Sequence, residues 1–192
     1  MTRPLVLASA SPRRKELLQT AGYDFRVIVA DDSAETSVPL DLPPNEYVSQ
    51  AALRKAENVV AKMESDAVVV SADTIAVLNE QIIGKPVDRN HAHEILMKLS
   101  GTIHLVLTGV TVWDMSSGKH LTHVESTELS MMKLSDDQLK EYLDSNQWEG
   151  KAGAFGYQDG LDWVRIERGL ESNVVGLPIE RLPDLIEQVI GI

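Results

Sequence analysis

Ala67-Val68-Val69-Val70-Ser71-Ala72 is a continuous run of small and β-branched residues that ends on Asp73-Thr74. It lacks the apolar–polar alternation of a strand with one wet face, so it reads as a strand buried within a sheet. A carboxylate leaving the end of such a strand emerges where open α/β sheets place their ligand sites. There Asp73 can hold a metal ion or serve as general base on water. An Asp that simply closes a turn is the commoner case, and Asp73 alone decides nothing.

Elements alternate around that strand. Leu5–Ala8 and Phe25–Val29 read as strands with a helix over Pro12–Ala21 between them, and the polar, proline-bearing stretch Asp31–Leu42 reads as loop. Val48, Ala51, Ala52, Ala56, Val59 and Val60 recur at helical spacing across Asn45–Met63. Asn79-Glu80 turns into a short strand, Gln81–Ile83, and Asp88 opens a helix to about Leu99. Two long strands, His104–Met115 and Leu121–Lys133, meet around Ser116-Ser117-Gly118. Ser135 with Gln138 forms a capping box for a helix to about Ser145. Gly150–Gly160 is glycine-rich loop, Trp163–Glu167 a strand, and Pro178 opens the last helix. Helical crossovers interleaved with hairpins predict an α/β fold with a mixed twisted sheet and flanking helices. At 192 residues, one domain over 1–192 is expected, with any division into lobes unplaced.

Charge and composition narrow the partners. The chain carries 18 basic and 29 acidic residues, a net charge of −11, which disfavours nucleic acid polymers and anionic membranes. It has no cysteine, so thiolate metal sites, disulfides and a Cys nucleophile are excluded. No apolar segment reaches membrane-spanning length and the start lacks a signal-peptide pattern, so the expected compartment is the cytoplasm.

On so acidic a body, clusters of basic residues stand out. Ser9-Ala10-Ser11-Pro12-Arg13-Arg14 runs from a strand into a helix start. Ser11 suits the N-cap, Pro12 the first helical position, and the free N–H groups of the first turn favour an anion. Two arginines at that end oppose the helix dipole, a conflict that a bound phosphate relieves. Lys55 sits at the rim of an apolar helix stripe, where it can snorkel out or lean into a cleft. Gly84-Lys85-Pro86 presents Lys85 on a restricted turn, as a phosphate contact or as an ordinary solvated lysine. In the Lys151–Gly160 loop the glycines permit close backbone approach to a ligand, and Gln158 can hydrogen-bond a base. Phe155 is expected in the core.

In order along the chain, Ser9-x-Ser11-Pro12-Arg13-Arg14, Arg54-Lys55-Ala56, Ala72-Asp73-Thr74, Gly84-Lys85-Pro86, Leu99-Ser100-Gly101, Lys151-Ala152-Gly153-Ala154 and Val175-Gly176-Leu177-Pro178 form a series. That series resembles the Maf family of nucleoside triphosphate pyrophosphatases over essentially the whole chain. The resemblance implies two lobes around a cleft, in a fold related to the inosine-triphosphate pyrophosphatases. It implies hydrolysis between the α- and β-phosphates to a monophosphate and pyrophosphate with a divalent metal, Mg²⁺ foremost and Mn²⁺ as substitute. Arg13, Thr74 and the segment ending in Gln158 look like the branch acting on dTTP, UTP and some modified pyrimidine nucleotides. The sequence departs from the family at Ser71, where Gly is usual, and at Tyr157, where Ile is frequent. Asp32-Ser33-Ala34-Glu35 carries one residue more than the family's acidic motif, so Glu35 as metal ligand is the loosest match. A homodimer is also implied. The alternative that the resemblance carries is a nucleotide-binding regulator of septum formation and cell division with little turnover.

The residue types suit this chemistry. A departing pyrophosphate demands cations aimed at it, which Arg13, Arg14, Lys55 and Lys85 supply. Asp73 is the candidate to orient or deprotonate water, to hold the metal with Glu35, or both. Ser9 and Ser11 would hold the phosphates, and Thr74 and Gln158 would read sugar or base.

Overall fold

The fold is described from a computed structural model covering residues 3–39 and 41–191. In chain order the elements are β1 (Leu5–Leu7), α1 (Pro12–Thr20), β2 (Phe25–Val27), α2 (Asp32–Thr36), α3 (Pro44–Val60), β3 (Val68–Leu78) and β4 (Gln81–Ile83). There follow α4 (Arg89–Leu99), β5 (Ile103–Asp114), β6 (His120–Met131), α5 (Asp136–Asp144), β7 (Val164–Arg168), α6 (Glu171–Val175) and α7 (Leu182–Ile190). The strands form one seven-stranded sheet in the order β2-β1-β3-β5-β6-β7, with β4 also on β3. β1 is parallel to β2 and β3, and the remaining pairs are antiparallel. This is the mixed α/β sheet with flanking helices that the sequence predicts.

The helix starts follow their local chemistry. Asp88 caps α4 by accepting from the His91 N–H, and Ser135 with Gln138 makes the expected capping box on α5. Asn79 and Glu80 both take positive φ, 49° and 63°, as a two-residue hairpin with the sheet's twist requires.

Two expectations need correction. The Asp31–Leu42 stretch is not all loop: Asp32–Thr36 forms α2, with Ala34 and Val38 buried to anchor it. The strand after Ala67 does not stop at Ala72, because Ile75, Val77 and Leu78 continue it, so Asp73 lies in mid-strand. A five-residue helix, α6, is too short to show a period in sequence.

The central strand β3 divides the core. On one face Val68, Val70 and Ala72 belong to a cluster with Leu18 of α1 and Leu182, Leu185 and Val189 of α7. Further along the same face, Ala76 and Leu78 belong to a second cluster with α4, α5, Phe155 and Trp163. Thr74 falls between the two. On neighbouring β5, Val110 and Val112 join the first cluster and Val106 the second, with Thr108 between them and paired in register with Thr74. The polar Thr74–Thr108 pair therefore marks the boundary between two core clusters that share one face of the sheet. The other face of the sheet is covered by α3. It approaches so closely that the Ser71 hydroxyl donates to the Ala52 carbonyl at 2.6 Å and a Cβ on Gly109 would collide with the Val48 carbonyl.

Candidate active site

The cleft lies at a gap in the sheet. β1 pairs with β3 as far as Val70, and β4 takes up the same side from Ala76. Between them, on that side, residues 71–75 of β3 lack a strand partner. Alternation along the strand turns the N–H and C=O of Ala72 and Thr74 toward this opening, as it turns those of Val68 and Val70 toward β1. Into the gap opens a cavity of about 470 Å³. Ser9, Ser11, Arg13, Arg14, Lys55, Asp73, Thr74, Lys85 and Gln158, brought from five separate stretches of chain, all line it. The side chain of Glu35 lies outside the described residues, and its backbone places it on α2. Asp32, from the same helix, lines the cleft.

Consecutive residues of a strand face opposite ways, and the site uses both directions. Asp73 points toward α3, where Lys55 Nζ donates to its Oδ1 at 2.6 Å. The two side chains are 13% and 8% exposed, so each buried charge is paired. Lys55 thus leans into the cleft from its helix rim rather than snorkelling out. Thr74 points the other way. Its hydroxyl accepts from an Arg14 terminal nitrogen at 3.0 Å and lies 3.0 Å from the Thr108 hydroxyl.

Arg14 is a clamp. Its Nε donates to the Gly176 carbonyl at 2.7 Å, and its two terminal nitrogens donate to the Ser9 and Thr74 hydroxyls, each at 3.0 Å. Three of the guanidinium N–H groups thereby meet protein oxygens, so the two adjacent arginines, both of which line the cleft, are held differently. Arg14 ties the β1–α1 turn to β3 and to the end of α6. Arg13, half-buried on the same turn, lines the cleft. Ser11 occupies the N-cap of α1, but its side chain caps nothing. Instead its N–H donates to the Ser9 hydroxyl at 3.2 Å, which leaves the turn organised around Ser9.

Sequence reasoning missed several residues behind this surface. Thr108 donates to the Asn173 carbonyl, and the Asn173 amide donates to the Val106 carbonyl and the Thr127 hydroxyl. Asn173 is fully buried and moors α6, which in turn delivers the Gly176 carbonyl to Arg14. Across the cleft, Lys151 Nζ bonds both carboxylate oxygens of Asp159 at 2.6 and 2.5 Å, and the Tyr142 hydroxyl donates to Asp159 Oδ2 at 2.9 Å. Burial, then the Asp159 charge, pushes the Tyr142 hydroxyl up from its ordinary value, so it stays a donor. The signal for Lys151 was present in its glycine-rich motif. For Asn173, a polar residue in a helix of five, there was none.

A family model described as "Maf-like protein" matches residues 4–189. The chain belongs to the Maf family. It is 51% identical over 184 residues to a protein of Rhodopirellula baltica named dTTP/UTP pyrophosphatase, covering 95% of this chain and 81% of that one. A Pelotomaculum thermopropionicum protein of the same name is 39% identical over 187 residues, covering 97% and 96%. Among solved structures, a HAM1 protein from Coxiella burnetii matches with a TM-score of 0.53 at 13% identity, over 97% of this chain and all of that one. That likeness is one of fold, and it agrees with the architecture that Maf membership implies.

Proposed function

We propose that this Maf chain is a nucleoside triphosphate pyrophosphatase that hydrolyses dTTP and UTP, with modified pyrimidine nucleotides as further candidates, to the monophosphate and pyrophosphate. The observation that carries the reading is the paired use of β3. Asp73, oriented by Lys55, and Thr74, held by Arg14, look into one cleft lined with cations, in a chain 51% identical to a protein named for that activity. A regulator with little turnover is not favoured, since it leaves a buried, lysine-oriented carboxylate without a task.

In the reaction, a bond forms from a water oxygen to phosphorus as the α–β anhydride P–O bond breaks. The water's proton passes to Asp73, and pyrophosphate departs. Lys55 fixes the Asp73 carboxylate and, with Arg13 and Lys85, faces the negative charge that develops on the leaving group. Ser9 and Ser11 hold phosphate oxygens at the helix start, where free N–H groups favour anions. Thr74 and Gln158 face sugar and base.

The acidic donors suit a sparsely ligated divalent ion. Among the described residues no three acidic or histidine side chains converge, while Asp73 and Asp32 line the cleft. Mg²⁺ requires one or two carboxylates and takes its other ligands from water and substrate phosphates. Asp73, with Glu35 from α2, would hold it, and Mn²⁺ would substitute. When bound, such an ion supplies positive charge that offsets that of the triphosphate.

No helix among the described residues is long and apolar enough to cross a membrane. The reading also carries a cytoplasmic setting and a homodimer, the latter tested by light scattering. The activity is tested by pyrophosphate release with Mg²⁺ from dTTP, UTP, CTP, 7-methyl-GTP and ITP, alongside Asp73→Asn. Release from dTTP or UTP that disappears in the variant supports the reading, and no release from any of them removes it.

A further inference from the structure

The loop that carries Gln158 has no regular secondary structure long enough to hold it. It consists of two three-residue 3-10 turns, Ala152–Ala154 and Tyr157–Asp159. Gly153 and Ala154 both take positive φ, 73° and 60°, the second an uncommon conformation for a residue with a side chain. Gln158 itself is exposed on the cleft. An amide on such a loop distinguishes one base from another only if its backbone is fixed, because a mobile donor–acceptor pair adapts to either.

The fixing comes from beneath. Asp159, the next residue, accepts four bonds: two from Lys151 Nζ, one from the Tyr142 hydroxyl, and one from the Gly156 N–H at 3.2 Å. The Lys151 and Asp159 side chains are 12% and 10% exposed, so the pair is nearly closed to solvent and little screened. It bridges the two ends of the loop, and Tyr142 ties that bridge to α5. Gly156 explains itself here: a Cβ at this position would stand 2.7 Å from Lys151 Nζ and 2.8 Å from Asp159 Oδ2. The loop's other end is joined to the turn bearing Lys85, since the Gly153 N–H donates to the Gly84 carbonyl at 3.2 Å.

We propose that Lys151, Asp159 and Tyr142 are positioning residues that hold the Gln158 turn in a single geometry and thereby set base discrimination, not the rate of anhydride cleavage. The inference rests on the proposed function and adds to it the device that sets specificity. Lys151 reaches the cleft but its Nζ is held by Asp159, and Tyr142 and Asp159 stand outside the cleft lining. Asp73 and Lys55 stand instead on β3 and α3, so loosening the cluster through Tyr142 affects which base is accepted before it affects the reacting phosphates.

The test is a double-mutant cycle on the full chain. Wild type, Tyr142→Phe, Gln158→Ala and the double variant are compared by kcat and KM for dTTP, UTP and CTP. Tyr142→Phe removes one hydroxyl and leaves Asp159 its other donors, and Asp159→Asn is the stronger companion. For Tyr142→Phe the expected result is kcat for dTTP within about twofold of wild type and KM raised roughly fivefold, the size of one lost hydrogen bond. The preference for dTTP over CTP in kcat/KM should shrink by a similar factor. In the double variant the preference should equal that of Gln158→Ala alone, because the cluster acts through that residue. A merely structural role predicts equal losses on every nucleotide and effects that multiply in the double variant; either result overturns the inference. Wild type that releases no pyrophosphate from any pyrimidine triphosphate overturns the functional reading itself. Intact wild-type discrimination that Tyr142→Phe and Asp159→Asn both leave unchanged overturns this inference alone.

Discussion

Lys55 Nζ stands 2.6 Å from Asp73 Oδ1, and both side chains are largely buried. The contact joins a helix on one face of the sheet to the middle of its central strand. It allows an ionised carboxylate to persist in a buried position, since an unpaired one would be costly. Asp73→Asn keeps the shape and removes the base. We expect kcat to fall by ~10²–10⁴-fold with KM changed little, measured by pyrophosphate release from dTTP. Lys55→Met leaves Asp73 a buried charge without this partner, and its cost should appear as about 3 kcal/mol of stability in urea unfolding.

Much of this site was legible because its residues sit in short motifs whose types declare phosphate chemistry. The acidic background sharpened the signal, since Arg13, Arg14, Lys55 and Lys85 had to be local exceptions. The sheet class was legible from the alternation of periods. What the sequence concealed was the division between the two arginines. Arg13 and Arg14 are adjacent and chemically identical, and only the arrival of Gly176 from 162 residues away singles out Arg14 as the clamp. The position of Asp73 in mid-strand was concealed for a related reason. Ser71-Ala72-Asp73-Thr74 breaks the β-branched run as a strand end would, yet β5 pairs with β3 in unbroken register through it, and only the neighbour on the other side is lost.

The clamp predicts a different signature from the base. Arg14→Lys keeps the charge but cannot bond Ser9, Thr74 and the Gly176 carbonyl together. Stability should drop by about 1–3 kcal/mol and kcat/KM by roughly tenfold or more, measured on the same preparation. Gly176→Ala should resemble it without touching a charge. Gly176 has φ of +120°, a conformation that strains any residue with a side chain, and an added Cβ would come into contact with Arg14 Nε and the Thr74 hydroxyl at 3.4 Å, so relief of that strain shifts the clamp.

Acid stability follows from two buried groups. His104 is 2% exposed, and neither of its ring nitrogens has a hydrogen-bond partner among the described residues. It packs edge-on against Phe155, with ring centroids 5.6 Å apart. Burial lowers its pKa from 6.5 to about 4. The unfolded chain therefore binds a proton that the folded chain refuses, and stability falls as pH drops from 6.5 toward 4, by on the order of 3 kcal/mol. His104→Phe should flatten that part of a Tm-against-pH profile. Asp114 acts lower on the scale. Burial pushes its carboxyl up, but bonds from Ser117, Arg3 and Ser116 outweigh this and hold it at about 2. Its contribution is present above the ordinary carboxylate value of 3.8 and is lost as pH falls toward 2. A profile for His104→Phe as steep as wild type between pH 6.5 and 4 would refute the assignment.

Gly109 tests whether the distance between α3 and the sheet governs catalysis. It lies on β5, paired in register with Asp73, and its α-carbon faces the backbone of Val48 in α3. A methyl group there would overlap the Val48 carbonyl, a backbone atom that cannot rotate aside, so α3 must move outward. Lys55 rides on that helix two turns further along, and the 2.6 Å contact with Asp73 lengthens with it. Gly109→Ala should therefore destabilise by about 1–3 kcal/mol and lower kcat, although Gly109 does not line the cleft. Discrimination between dTTP and CTP should be untouched, because the Gln158 loop rests on α5 and not on α3. Full activity in a variant whose Tm has fallen would show that the sheet yields instead of the helix, and that the Lys55–Asp73 contact does not depend on how closely α3 packs.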